Sequence, residues 1–168
     1  MELPGTAYLF TMALLAITFI GFSAIVMQLR QTLHGKLSQL DLMIAQSYME
    51  FGLMISVGAM LPPLLSYWEF SPAIIWRVSS GLLAACVLVF AFTYPARRRK
   101  ASHEPTPLYV KINLSIVYFI GIIFLINASG ALHEQSGAVF LTDITIFLAW
   151  AVNAWLRVLH LFLRQKSR

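Results

Sequence analysis

The chain alternates between long apolar stretches and short polar connections. Five apolar stretches lie near 7–27, 42–61, 73–93, 112–132 and 138–163. A helix needs about 20 mostly apolar residues to cross the hydrocarbon core of a bilayer, and each stretch reaches that length. The pattern therefore predicts an all-α integral membrane protein, a bundle of five transmembrane helices that forms one domain over residues 1–168.

The composition agrees with lipid as the surrounding solvent. Apolar residues make up 59% of the chain and charged residues only 11%, whereas a soluble domain carries about 25% charged residues. So few charges cannot cover a water-exposed surface, which excludes the soluble classes of protein. The single cysteine, Cys86, lies inside the third stretch, so a disulfide within one chain is excluded as well.

The positive charges predict an orientation. Of the 12 lysines and arginines, all but Arg77 fall at the same end of the predicted helices. The positive-inside rule places that end in the cytoplasm. We therefore predict an N-terminus outside and a cytoplasmic C-terminus, in a bacterial cytoplasmic (inner) membrane.

A basic run follows the third stretch and suggests a partner. Basic residues next to a membrane attract anionic lipid head groups, whereas a nucleic-acid partner is not expected without basic residues interleaved with aromatic ones. The residues expected to contact lipid head groups are Arg97, Arg98, Arg99 and Lys100.

Capping and proline signals predict the helix ends. Ser38 and Asp41 have the spacing of a capping box that starts the second helix. Pro62-Pro63 is expected to end or kink that helix. Tyr94-Pro95 is expected to stop the third, because the residue before a proline avoids helical angles. The segment 95–106 is then predicted to be a basic connection.

The second helix carries two faces suited to contact with other helices. Gly52, Ser56 and Ala59 have the small-residue spacing that allows close helix approach in a bilayer. Gln46 and Glu50 are four residues apart, so they share another face. We therefore expect this helix to be central.

Glu50 is the first candidate site residue, because intramembrane ionisable groups usually face the bundle interior or a water-filled cavity. Arg157 on the fifth helix lies at a similar predicted depth. We predict that Glu50 meets Arg157, with Gln46, Asn153 and His160 around them. Such a cluster suits three roles: a structural ion pair, proton or ion handling, or a ligand or lipid-head-group site.

A second polar set is predicted near the opposite membrane edge. Arg77 and Asp143 lie at comparable depths on the third and fifth helices, and Asn127 lies near them on the fourth. We expect an Arg77–Asp143 pair with Asn127 close by. The alternative is that the long Arg77 side chain extends to the interface and makes no pair.

No motif indicates catalysis or a bound cofactor. Within the predicted spans His160 is the one histidine, whereas a transmembrane haem usually takes two facing axial ligands. Metal-binding histidine pairs and glycine-rich phosphate loops are missing from the sequence. We therefore expect no enzyme, no cofactor and no metal.

Three functions remain open at this point. The first is a homo-oligomeric channel or transporter-like protein for protons, ions or small solutes, built on Glu50 and Arg157. The second is a non-catalytic accessory or assembly subunit of a larger membrane complex. The third is a membrane sensor whose output is the 95–106 connection, although that connection is small for an effector surface.

Overall fold

A computed structural model describes residues 3, 5–35, 38–102, 105–132 and 135–164, with side chains given through 160 except at 33–34. The described chain is all-helical, and each of its five helices is long and apolar enough to cross a membrane. This confirms the helix count and class expected from the sequence. The helices are α1 (Thr6–His34), α2 (Gln39–Ser66), α3 (Pro72–Ala101), α4 (Leu108–Ser129) and α5 (Ser136–Arg164).

The local signals for α2 are confirmed. The Ser38 hydroxyl accepts from the Asp41 backbone N–H, and the Asp41 carboxylate accepts in return from the Ser38 N–H. This reciprocal cap satisfies two backbone donors that the first helical turn leaves free. Asp41 also forms an ion pair with Arg30 of α1, at 2.7 Å. The cap and the ion pair together fix the α1–α2 hairpin.

The proline predictions are wrong in one respect. Helix α3 continues through Pro95 to Ala101, and α2 contains Pro62 and Pro63 and ends at Ser66. The predicted stop at Tyr94-Pro95 does not occur, since α3 ends at Ala101, and α4 begins at Leu108. A proline removes one helical hydrogen bond, and helices packed in a membrane bundle tolerate this. The continuation adds almost two turns to α3, and those turns carry Arg97, Arg98 and Arg99.

Consecutive helices run antiparallel, which gives the bundle two distinct ends. Phe19 of α1 packs against Tyr48 of α2, and Phe92 of α3 packs against Tyr118 of α4. We call the end with the α1–α2 and α3–α4 connections the basic end. The end with the α2–α3 and α4–α5 connections is the opposite end.

Helix α2 contacts α1, α3 and α5, but α5 contacts all four other helices, so the expected central position is not special to α2. A Cβ at Gly52 would lie 2.4 Å from the Ile20 side chain of α1. A Cβ at Gly58 would lie 2.9 Å from Leu83 of α3. Glycine at these two positions therefore lets α2 approach helices on both sides.

The outer surface of the bundle is strongly apolar. Leu14, Val89, Phe92 and Phe119 are all more than 60% exposed. Large apolar side chains with this exposure suit contact with lipid rather than water. Together with the five spanning-length helices, this surface indicates a membrane protein.

Candidate functional site

Glu50 forms an ion pair that joins α2 to α3. Arg97 donates two hydrogen bonds to its carboxylate, from Nη1 at 2.6 Å and from Nη2 at 2.8 Å. The Gln46 amide donates a third, at 3.0 Å. Both charged side chains are nearly 30% exposed, and the guanidinium also lies over the Phe90 ring. The planar fork of arginine matches the carboxylate, so the pair fixes the register of the two helices.

The partner of Glu50 therefore differs from the predicted one. Arg157 is exposed, and Asn153 and His160 are exposed as well. Of the predicted cluster, all of which lies in the described chain, Gln46 alone makes a hydrogen bond to Glu50. The reason is the continuation of α3 beyond Pro95, which brings Arg97 to the level of Glu50.

Asn127 links three helices at the opposite end. It is fully buried, and its amide nitrogen donates to the Ser80 hydroxyl of α3 and to the Ser136 carbonyl oxygen at the start of α5, both at 2.9 Å. A buried amide that is hydrogen-bonded in this way orients its neighbours without burying a charge. The Asn127 carbonyl oxygen has no hydrogen-bond partner among the described residues.

The predicted Arg77–Asp143 pair is wrong within the described part of the chain. Asp143 is only 2% exposed, and neither carboxyl oxygen has a hydrogen-bond partner there. The Arg77 guanidinium lies instead against Gly130, where a Cβ would be 2.4 Å from its Cζ. Gly130 has a positive φ of 81° and ends α4, so Arg77 packs under that turn.

Helix α5 carries polar residues on its outer side. Its inward side contains the buried residues Phe140, Ile144, Phe147 and Ala151, and it is the most amphipathic of the five helices. Residues on the outward side share one helical face because of their spacing. We define the α5 stripe as Thr142, Ala149, Asn153, Arg157 and His160, which share the exposed face of α5 with the apolar residues Ile146 and Leu156.

A cavity of about 60 Å³ opens at the basic end, among α2, α3, α4 and α5. Arg98 lines it and is only 4% exposed. Phenol rings line it from three helices: Tyr48 of α2, Tyr94 of α3 and Tyr109 of α4. We call this the Arg98 cavity.

The Arg98 cavity is not foreseen by the sequence interpretation, which assigns Arg98 to a lipid-facing run. The signal that could have found it is the Tyr94–Arg98 spacing of four residues, which places both on one face if the helix continues through Pro95. Of the four predicted head-group residues, only Arg99 and Lys100 are exposed. Arg97 is paired with Glu50, and Arg98 faces the cavity.

Over the described residues, no three His, Cys, Asp or Glu side chains are grouped as metal ligands would be. Comparison with protein-family models, with curated proteins and with solved structures finds no match for this chain. The functional argument therefore rests on the side chains themselves.

Proposed function

We propose that the chain is a homo-oligomeric, channel- or transporter-like membrane protein for ions or small polar solutes, and that its α5 stripe faces the centre of the assembly. The observation that carries this proposal is the outward direction of the stripe. Polar side chains inside a membrane usually face protein or a water-filled cavity, because lipid cannot satisfy them.

The depth of the stripe supports the proposal. Asn153 lies 11 residues before Arg164, the end of α5, which is roughly 16 Å at 1.5 Å per residue. This places Asn153 well within a bilayer core of about 30 Å. An amide at that depth gains a hydrogen-bond partner if another copy or a water-filled path covers it.

Ala149, the small residue of the stripe, and Asn153 support a second copy of the chain as the neighbouring helix. Ala149 lies one turn before Asn153 and lets another helix approach closely. An amide both donates and accepts, so Asn153 is complementary to the same residue of a symmetry-related copy. A closed ring would then bring one α5 stripe from each copy around a shared axis.

The charges of the α5 stripe indicate which charge the solute carries. Arg157 and His160 lie toward the basic end, and cationic rings favour anions over cations. We therefore favour a small anion or polar solute over a metal cation. This revises the site from Glu50, whose carboxylate is occupied by Arg97 and Gln46.

We place the basic end in the cytoplasm by the positive-inside rule, which puts the N-terminus outside, in a bacterial inner membrane. The alternative function, an accessory subunit of a larger complex, uses the same stripe. In that case the helix covering Asn153 belongs to a different protein.

Native mass spectrometry after gentle extraction tests the proposal. We expect a closed homo-oligomer for the natural chain and monomers for Asn153→Leu. Thr18→Val is the matched control, because Thr18 is an exposed polar residue on α1 whose hydroxyl already bonds the Leu14 carbonyl. Monomers for the natural chain would overturn the proposal, and a stable mass with a foreign subunit would replace it with the accessory role.

Solute flux in liposomes tests the second part of the proposal, that the assembly transports a solute. We expect anion flux in the natural chain, with a severalfold loss in Arg157→Gln and none in Thr18→Val. An intact oligomer without flux of any small anion or polar solute would restrict the proposal to assembly.

A further inference from the structure

Two adjacent arginines of α3 lie in opposite environments. The charge of Arg97 is neutralised by Glu50 at 2.6 Å. Arg98 is more deeply buried, and within the described residues it makes no ion pair with a carboxylate. Its Nε has no hydrogen-bond partner. A buried guanidinium without a counter-charge is strongly unfavourable, so a group that supplies negative charge would bind favourably here.

The remaining lining of the Arg98 cavity is rich in donors. Tyr48, Tyr94 and Tyr109 all line the cavity, and Arg98 donates a hydrogen bond to the neutral Tyr94 hydroxyl, which supplies no counter-charge. The Trp150 indole Nε1 is buried without a hydrogen-bond partner in the described chain. Asn113 adds an amide, and the described residues of the lining include neither aspartate nor glutamate. This donor set suits an oxyanion and offers no counter-charge to a cation.

The apolar part of the lining indicates what is attached to the oxyanion. Ile44, Phe51, Val117 and Val158 also line the cavity. Tyr109 is 45% exposed. A volume of about 60 Å³ is several times the roughly 10–15 Å³ that one water needs, so the cavity has space for one oxyanion group, whereas a long hydrocarbon chain does not fit inside it. Any hydrocarbon chain would therefore leave through the opening.

We propose that the Arg98 cavity binds one oxyanion, a phosphate or carboxylate group, with Arg98 as its counter-charge and the tyrosine hydroxyls as further donors. Its source is either an anionic lipid head group or a free anion. The site is separate from the α5 stripe, so this proposal does not depend on the proposed function.

Binding to delipidated protein in a neutral detergent tests the site. The probes are short-chain phosphatidylglycerol, short-chain phosphatidylcholine and inorganic phosphate, with bound mass read by native mass spectrometry and stability by thermal unfolding. We expect one bound phosphatidylglycerol per chain, a higher melting temperature, and at least tenfold weaker binding of phosphatidylcholine. Binding of phosphatidylglycerol alone assigns the oxyanion to lipid, whereas equal stabilisation by inorganic phosphate assigns it to a free anion.

Variants connect the binding to Arg98. We expect Arg98→Gln to bind phosphatidylglycerol at least tenfold more weakly and to lose the rise in melting temperature. Arg99→Gln, which changes the exposed neighbouring arginine, should retain both. Arg98→Lys keeps the charge but loses the planar fork, so an intermediate affinity is expected. If Arg98→Gln does not fold, Tyr109→Phe provides the second variant, with a severalfold weaker affinity expected.

Two outcomes would overturn the proposal. The first is equal stabilisation by phosphatidylglycerol and phosphatidylcholine, which would mean that the negative charge is not recognised. The second is equal loss of affinity in Arg98→Gln and Arg99→Gln, which would mean that the anion binds a diffuse basic surface rather than the cavity.

Discussion

Glu50 and Asp143 are both carboxyl groups on apolar helices, yet their surroundings differ. Glu50 accepts two hydrogen bonds from Arg97 and one from Gln46, and it keeps some exposure. Asp143 is more buried, and its oxygens have no partner in the described part of the chain. The comparison shows that depth alone does not select a partner, because Arg77 lies on a neighbouring helix and packs against Gly130 instead.

The two ends of the bundle also join their helices in different ways. At the basic end, an ion pair joins α2 to α3. At the opposite end, α3, α4 and α5 are joined by the neutral amide of Asn127. A neutral amide has a smaller desolvation penalty than a charge, so it tolerates complete burial. This matches the exposure of the two groups, since Asn127 is fully buried and Glu50 is not.

The largest expected effect comes from breaking the Glu50–Arg97 pair. Removing one partner of a fully buried pair costs about 3–5 kcal/mol, and the partial exposure here reduces our expectation to about 2 kcal/mol. Glu50→Gln and Arg97→Gln should each lower the free energy of unfolding, measured by reversible denaturation in mixed micelles. The double variant should be less destabilised than the sum of the two, and strict additivity would contradict the pairing.

Removing the Asn127 amide should have a somewhat smaller effect. Asn127→Ala leaves the Ser80 hydroxyl and the Ser136 carbonyl without this partner, which costs about 1–2 kcal/mol. The same unfolding assay measures the loss. Asn113→Ala is the control, because that amide lines a cavity and has no hydrogen bond to either residue. Equal effects in the two variants would show that the three-helix link is not specific.

Replacement by leucine should change the free energy of unfolding in opposite directions at Asp143 and at Glu50. Asp143→Leu replaces a buried carboxyl that lacks described partners with an apolar group of similar size, so unfolding free energy should stay equal or rise by about 1 kcal/mol. Glu50→Leu should lower it in the same assay. A loss of stability in Asp143→Leu comparable to that in Glu50→Leu would mean that the Asp143 carboxyl has a stabilising partner.

The smallest expected effect is the coupling between Glu50 and Arg157, the partner that the sequence suggests for Glu50. Arg157 is exposed on the α5 stripe, so Arg157→Gln and Glu50→Gln should act independently. Their effects on unfolding free energy should add to within about 0.5 kcal/mol, measured on the monomeric protein. A coupling as large as that between Glu50 and Arg97 would contradict the geometry.

Much of the fold could be predicted from the sequence because its signals are local. The five apolar stretches predict the five helices, the Ser38–Asp41 cap predicts the start of α2, and Gly52 of its small residues lies in close helix packing, as the structure shows. Lipid requires each spanning segment to satisfy its own backbone, so length and hydropathy are sufficient evidence for a helix.

The partners of the polar side chains were decided by the tertiary structure alone. Whether Glu50 meets Arg97 or Arg157 depends on whether α3 continues through Pro95, and a proline permits either outcome. The rotation of α5 then determines that Asp143 faces the bundle while Asn153 and Arg157 face outward. Helical periodicity identifies residues that share a face, but the side chains of the neighbouring helices determine where that face points.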